Sequence, residues 1–478
     1  MAIYTYQDLI GPHDEGLSHF IRSAIDRHES SALVRTAKVA DLYDHQQNKT
    51  INEYVRILYT LGGSEVEDYT ASNSKIASNF FNSLNTQRVQ YSLGNGVSFL
   101  DPDEEGEDTT KEALGKYFDH DITEAAYYAL IHGVSFPFWN LDRLHRFKVT
   151  EFVPFWDEHT GELRAGIRYW RLDDADRKRP LNVVLYREEG YSRWREDEGR
   201  DLRPLAGQGD DFAPEEVVVG YKTTYRYTEA DGEAEVIGED SYGRLPIVPM
   251  YASRLQQSTL VGMQQAIDSF DLVRSGFAND MTDCAMIYWL VENYGGMTDA
   301  ELAQFRDRMK LTHIAPVDSA SGGKVTPFTQ EIPYQARETY LHEIRAGIYE
   351  DFGALDVHTV AAGATNDHID AAYQPMDDRA SDFEYCVGEA IHQILAIQGI
   401  DDSPRFKRKR ISNQMEQVQM VVLEAPYLDR QTILSKLPNI DSSEIAAIME
   451  AQEASDMDMM GIMAAAEEPP AGGLPSEE

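Results

Sequence analysis

The sequence predicts an α+β fold, built as an elongated subunit of several packed parts, and three observations carry that expectation. The 478 residues exceed the ~250 to 300 at which a single hydrophobic core stops growing. Residues 145 to 250 alternate apolar and polar side chains between turn signals, whereas the later chain carries long stripes at helical spacing, so strand and helix are segregated. Hydrophobic residues, at 42%, can fill such cores, and no run approaches the ~18 apolar residues of a membrane span.

Taken in order, residues 1 to 50 read as polar helices. From Asn52 to Phe99 the pattern predicts helices and then a strand. Tyr54, Ile57 and Leu58 keep helical spacing, and Asn73-Ser74-Lys75-Ile76 opens a helix through Phe80 and Leu84. Tyr91, Leu93, Val97 and Phe99 then alternate around Gly94-Asn95-Gly96. Strands follow at Phe147 to Val149, Phe152 to Trp156, Ile167 to Trp170 and Val183 to Tyr186, with hairpin signals at His159-Thr160-Gly161 and Asp231-Gly232. After Pro246 and Pro249 a long helix runs from Val261 to about Ile287. Its stripe is Ile267, Phe270, Val273, Phe277, Met281 and Cys284, with Asp268, Asp271, Asp280 and Asp283 elsewhere.

A small α/β unit comes next, with strands at 287–291, 312–317 and 325–329 and a helix at 298–309. Pro333 suits a first helical turn, Leu341, Ile344, Ile348 and Phe352 mark the helix, and Gly353 can stop it. Residues 354–366 form a loop of small side chains. Asn366 can cap a third long helix whose stripe runs from Ile369 through Tyr373, Met376, Ala380, Phe383, Val387 and Ala390 to Ile394, with Pro375 expected to kink it. The basic run Arg405 to Arg410 reads better as a strand whose cations meet acidic neighbours than as a nucleic-acid patch. Helices broken at Pro426 and Pro438 follow, and 456–478 lacks any core pattern and reads as a disordered acidic tail.

Charge and motif searches exclude more than they assign. Lysine plus arginine is 43 against 82 aspartate plus glutamate, a formal charge of −39 that opposes coating of nucleic acid through phosphate contacts. Cys284 and Cys386 are too few for a disulfide scaffold or a thiolate metal site, and the first residues carry no secretory pattern, so a cytosolic protein is expected. Gly322-Gly323-Lys324 lacks the Ser or Thr of a phosphate loop, His342-Glu343 lacks the second zinc histidine, and no nucleophile elbow occurs. Asp101, Asp103, Glu105 and Glu112 around Gly106 imitate a calcium loop. Glu at the fifth position, Asp108 at the eighth and a preceding strand favour a solvated loop instead. Hence no metal or other cofactor is expected.

Several segments, in their order, carry a family likeness. Asn73-Ser74-Lys75-Ile76 is followed by Tyr91 to Gly94, His132-Gly133-Val134-Ser135, and Phe152 to Asp157 with Ile167 to Trp170. Tyr242-Gly243-Arg244-Leu245-Pro246 precedes Gln265 to Asp271 and Ser275 to Asp280, and Arg410 to Asn413 with Glu416 precedes Leu434 to Asp441. Over residues 50 to 451 this succession resembles the portal proteins of tailed bacteriophages, siphophage-type. The family's Ser-Gly pair at the start of the long wing helix is replaced by Asn366-Asp367-His368.

The resemblance implies a β-rich wing at 51–254 after an N-terminal segment at 1–50, stem helices at 255–287 and 333–353, and a clip at 288–332. It further implies a tunnel loop at 354–366, a long wing helix at 367–400 and a crown at 401–455. It implies a non-enzymatic closed ring of copies of this chain, usually a dodecamer, at one capsid vertex of the virion, assembled in the host cytoplasm. Double-stranded DNA would pass through it without sequence specificity for packaging, retention and ejection. The large terminase, then a head–tail adaptor, and the capsid and scaffold proteins would be its partners, with no membrane. DNA would face His358, Thr359, Val360, Ala361, Ala362, Gly363, Ala364, Thr365 and Asn366, and Asp268, Asp271, Asp280, Asp283, Glu338 and Glu343 would line the stem. The competing readings are an acidic metal-dependent hydrolase using the Asp101 to Glu112 loop, or another ring-forming virion protein such as an adaptor.

Overall fold

A computed structural model of the chain describes residues 4–59, 63–69, 71–100, 108–171, 179–207, 211–227, 234–284, 288–292, 324–328, 334–356 and 366–410, with isolated positions at 298, 300, 301, 304 and between 421 and 449. The chain divides into two units, residues 1–354 with 375–409 and residues 355–374 with 410–478.

In the larger unit, Phe152–Trp156, Leu163–Arg171, Leu181–Tyr186, Tyr191–Glu196 and Leu202–Pro204 pair antiparallel with their sequence neighbours, a meander in which Val218–Val219 also joins Tyr191–Glu196. Successive side chains on a strand point to opposite faces. One face presents Val153, Phe155, Ala165, Ile167, Val183 and Leu185 to the Leu17–Glu29 helix, which returns Ile21, Ala24 and Ile25. That helix is fixed to the sheet's turn by His28, whose imidazole Nε2 lies 2.7 Å from the Val149 carbonyl. The opposite face gives Phe152, Val184 and Tyr186 to a second sheet built from Val134–Asn140, Arg143–Lys148 and Met250–Tyr251. The expected β-rich region is therefore present, and the His159 to Gly161 hairpin turn is formed, with Gly161 at φ +71°.

Behind the second sheet lies the Phe118–His132 helix, which buries Ile122, Ala125, Ala126, Ala129 and Leu130. It meets Phe383, Val387, Ile391 and Ile394 of the Asn366–Gln398 helix, four residues of which three fall on the expected stripe. This helix continues through Pro375, the residue at which the two units divide. The basic run follows the favoured reading. Arg405–Phe406 pairs with Val97–Ser98, and the Arg408 guanidinium donates to Asp377 at 2.8 Å and to Glu384 at 2.8 and 2.9 Å. In the smaller unit, Arg410 reaches Asp370 at 3.1 Å and lies over the Tyr373 ring.

Three local expectations are corrected. Residues 54–58 are not helical: the helix ends at Glu53, and Ile57–Tyr59 pairs antiparallel with Glu65–Glu67. Tyr91 and Leu93 are not in a strand but in the last turn of the Phe80–Leu93 helix. Nor does that helix begin at Asn73. Residues 72–79 run outside any helix, because their alternate N–H groups are taken elsewhere: Ser74 N donates to Asn279 Oδ1 (2.6 Å), Ile76 N to Ser275 Oγ (3.0 Å) and Ser78 N to Asp271 Oδ1 (2.9 Å).

Gly133 ends the Phe118–His132 helix at φ +89°, and a Cβ there would lie 2.8 Å from the backbone of Gln257 and Ser258. Gly161 has a similar φ with open space around it. Gly161→Ala is expected to cost about 1 kcal/mol, the conformational penalty alone, and Gly133→Ala about 2 to 4 kcal/mol because backbone must also shift. Denaturant midpoints of the two variants check this, and equal losses would contradict it.

Candidate functional site

Two helices, Gln264–Cys284 and Tyr334–Phe352, pack on each other, with the antiparallel strands Tyr288–Glu292 and Lys324–Phe328 between them in sequence. Apolar side chains root the pair at one end. Leu260, Met263 and Ile267 from one side and Ile348 and Phe352 from the other share a core with Tyr43, Phe81, Leu84 and Ile131. Phe80 stands edge-on to both Phe270 and Tyr349. Towards the other end this support stops. Ile348 and Phe352 are the only buried positions of the Tyr334–Phe352 helix, while Met281, Tyr334 and Tyr340 are 60%, 57% and 45% exposed.

The polar face of the first helix is used inside the subunit. Asp271, Ser275 and Asn279 are buried and recur every four residues, about 6 Å along a helix. Ser74, Ile76 and Ser78 recur every two residues, about 6.6 Å along an extended chain, so each side chain meets one free N–H. Asn48 Nδ2 closes the end, donating to Asp271 Oδ2 (2.5 Å) and to the Ser78 carbonyl (3.1 Å).

This placement corrects part of the acidic lining expected from sequence. Asp271 has 0% exposure within the subunit, so it cannot line a channel. Asp268 is half-buried and accepts from Tyr43 (2.5 Å) and Thr50 (2.7 Å). Asp280 is ion-paired with Arg337 of the second helix, and Glu338 and Glu343 are exposed. The Asp283 side chain and the loop residues His358, Thr359, Val360, Ala361, Ala362, Gly363, Ala364 and Thr365 lie outside the described residues, as does the side chain of Asn366, the first residue of its helix.

The start of the loop is described, and it holds a residue that sequence reasoning missed. Arg88 donates to the Phe352 carbonyl and lies 3.9 Å from the centroid of the Phe352 ring. Burial, with the neighbouring Arg379 charge, pushes its guanidinium down to about 10. Its cation sits where the helix leaves carbonyls unpaired and its dipole is negative. Gly353, at φ +67°, then turns the chain beside the Arg379 side chain. An arginine amid a helical run gives no sequence signal for this cap.

Of the calcium-like loop, Asp101, Asp103 and Glu105 lie outside the described residues. Asp108 caps the Thr109–Leu114 helix, accepting from Lys111 N and Phe99 N, and Glu112 is exposed within it. Among the described residues, His120, Asp121 and Glu124 form the group with ligand atoms within 4.8 Å of one another. Arg143 already holds Asp121 and Arg146 holds Glu124, so their charge is answered without an ion.

Burial pushes the Asp271 carboxyl above its ordinary value near 3.8, although the Asn48 and Ser78 hydrogen bonds pull the other way. A raised folded pKa gives stability that is full below the unfolded value and is lost as pH rises through the folded one. Asp271→Asn should therefore gain stability relative to wild type as pH rises from about 3.8 through that raised value, and level off above it. Urea denaturation of both chains across pH checks the sign, and a relative loss over that window would contradict the burial argument.

The family model for the phage portal protein, SPP1 Gp6-like, matches residues 22–458. The portal protein of Bacillus phage SPP1 is 20% identical over 454 residues, covering 89% of this chain and 84% of that protein. The portal protein of Clostridium phage phiCD119 is 25% identical over 214 residues, 43% of this chain, and the match spans about half of that protein, 48%. Since the family model covers most of its length, the chain belongs to the phage portal protein family of the SPP1 Gp6-like type.

Proposed function

We propose that copies of this chain close into a ring, a dodecamer, at one vertex of a phage capsid, and that double-stranded DNA passes through its centre during packaging and ejection. The observation that carries the reading is a helix pair that, among the described residues, is rooted at one end. Its apolar residues Met281, Tyr334 and Tyr340 are exposed, and the same helices in neighbouring copies would cover them. Family membership supports the same assignment, and a structural rather than enzymatic role with it.

In this reading Gln264–Cys284 and Tyr334–Phe352 are the stem, residues 288–332 the clip that meets the terminase and then the adaptor, residues 51–254 with the 367–400 helix the wing, and 401–455 the crown. Residues 354–366 are the tunnel loop, with small side chains from Val360 to Thr365 at the narrowest point. Of the stem carboxylates expected from sequence, Glu338 and Glu343 are the exposed ones available to face DNA, with Asp280 tempered by Arg337. Phosphates that meet carboxylates rather than fixed cations release few counterions on contact, so the duplex slides instead of binding. A net charge of −39 on every copy serves that end.

Two outcomes test the reading. Insertion of bulky residues at Gly363 should stop packaging while leaving ring assembly intact, and normal DNA filling would contradict the tunnel-loop assignment. Glu338→Lys with Glu343→Lys should slow DNA translocation several-fold at low salt, with relief as salt rises, because each added cation forms a phosphate contact. An unchanged translocation rate in a packaging assay would remove those residues from the channel wall.

A further inference from the structure

The Phe80–Leu93 helix turns one stripe toward the end of the Tyr334–Phe352 helix. Phe81 and Leu84 share a core with Ile348 and Phe352, and Arg88, one turn farther along the same face, meets Phe352 itself. The last four carbonyls of a helix have no helical N–H to accept. Two of these are taken by the chain as it turns: Gly353 N donates to the Glu350 carbonyl (3.0 Å) and Ala354 N to the Tyr349 carbonyl (2.9 Å), the pattern of a glycine-turned helix end. Arg88 takes a third, the Phe352 carbonyl, and Asp351 is exposed to water.

The chain that leaves at Gly353 returns beside it. A Cβ at Gly353 would lie 3.1 Å from the Pro375 carbonyl and 2.8 Å from Arg379 Cγ, so the helix that carries Pro375 and Arg379 lies against the turn. Arg379 and Asp382 of that helix also supply the charges felt by the Arg88 guanidinium, which is desolvated although the residue as a whole is half-buried. One side chain therefore acts on both limbs of the root. Arginine suits the place better than lysine, since its planar, delocalised cation stacks on the Phe352 ring while it donates to the carbonyl.

We infer that Arg88 is a positioning residue for DNA passage: it holds closed the root between whose ends residues 354–374 run, and so sets where the loop at 354–366 stands relative to the duplex. The inference rests on the tunnel-loop reading. A segment as poor in large side chains as Val360 to Thr365 has little apolar area with which to fix its own place, so its placement is inherited from the root. A loop released from that root leans on the duplex and slows it.

The test uses assembled rings of the full-length chain. Arg88→Met keeps the stem of the side chain and removes its donors and charge. Hydrogen exchange followed by mass spectrometry should show the Gly353 and Ala354 amides opening about ten-fold faster, the loss expected for one hydrogen bond to a charged donor, with the Phe118–His132 helix unchanged. In a packaging assay the same rings should translocate DNA several-fold more slowly, and Arg88→Lys should recover part of the rate. Two glycines inserted after Ala354 uncouple the loop from its root, and in that chain Arg88→Met should slow translocation no further, a result that a merely structural role does not produce. Gly353→Ala strains the same turn, at φ +67°, and should also slow translocation, which carries the test if Arg88→Met chains form no rings. Unchanged exchange at Gly353 and Ala354, normal translocation by the variant rings, or an added loss in the glycine-inserted chain overturns the positioning role and leaves the tunnel-loop reading intact. Failure of both variants to form rings overturns it too, giving these residues to the fold alone. Normal DNA filling with bulky residues inserted at Gly363 overturns both readings.

Discussion

The polar ladder between residues 74–78 and the Gln264–Cys284 helix is the contact on which the rest of the larger unit depends. Three side chains four residues apart, Asp271, Ser275 and Asn279, take three N–H groups two residues apart, and Asn48 ties the N-terminal helices to the same point. A buried carboxylate is costly unless its oxygens are paired, and here both Asp271 oxygens accept. The ladder thus fixes the direction in which the helix leaves the core. Apolar packing alone, through Ile267 and Phe270, would leave it freer to slide, since hydrophobic contact is not directional.

From that root, the second helix takes its position by packing and by its end. Ile348 and Phe352 lock it beside the first helix, and Arg88 closes its last turn on the Phe352 carbonyl. Gly353 then reverses the chain where a side chain would meet Arg379. The residues that follow are those proposed to face DNA, so their start is held by a buried guanidinium even though their own sequence is small and permissive. In the proposed assembly, rigidity at the root and unsupported apolar residues farther along divide the labour: the subunit folds by itself, and the ring completes the helices' burial. In that assembly, acidic charge favours a passage that does not grip its contents.

Much of this was legible in the sequence where burial has a simple period. The strands from Phe152 to Tyr186, the long helices and the Gly353 stop followed from alternation, helical stripes and left-handed turns. The misreadings share one physical cause, structure decided by partners far along the chain. Residues 73–79 have helical composition but are held extended by side chains about two hundred positions away, and Ile57 keeps helical spacing yet pairs in a hairpin. Asp268 and Asp271 look like a solvated acidic face until the residues that cover them, Tyr43, Asn48 and Thr50, are seen. Arg88 shows the same limit, since nothing around it in sequence points to Phe352. The basic run, read as a strand whose cations meet acidic neighbours, does pair at Arg405–Phe406 and place Arg408 against Asp377 and Glu384.

The most direct test of the account is negative-stain microscopy of the purified full-length chain across a salt series, since screening governs how closely chains of −39 charge can approach. The account predicts closed rings with a central hole and a mass near twelve times 54.0 kDa. Compact monomers at every salt concentration would contradict it.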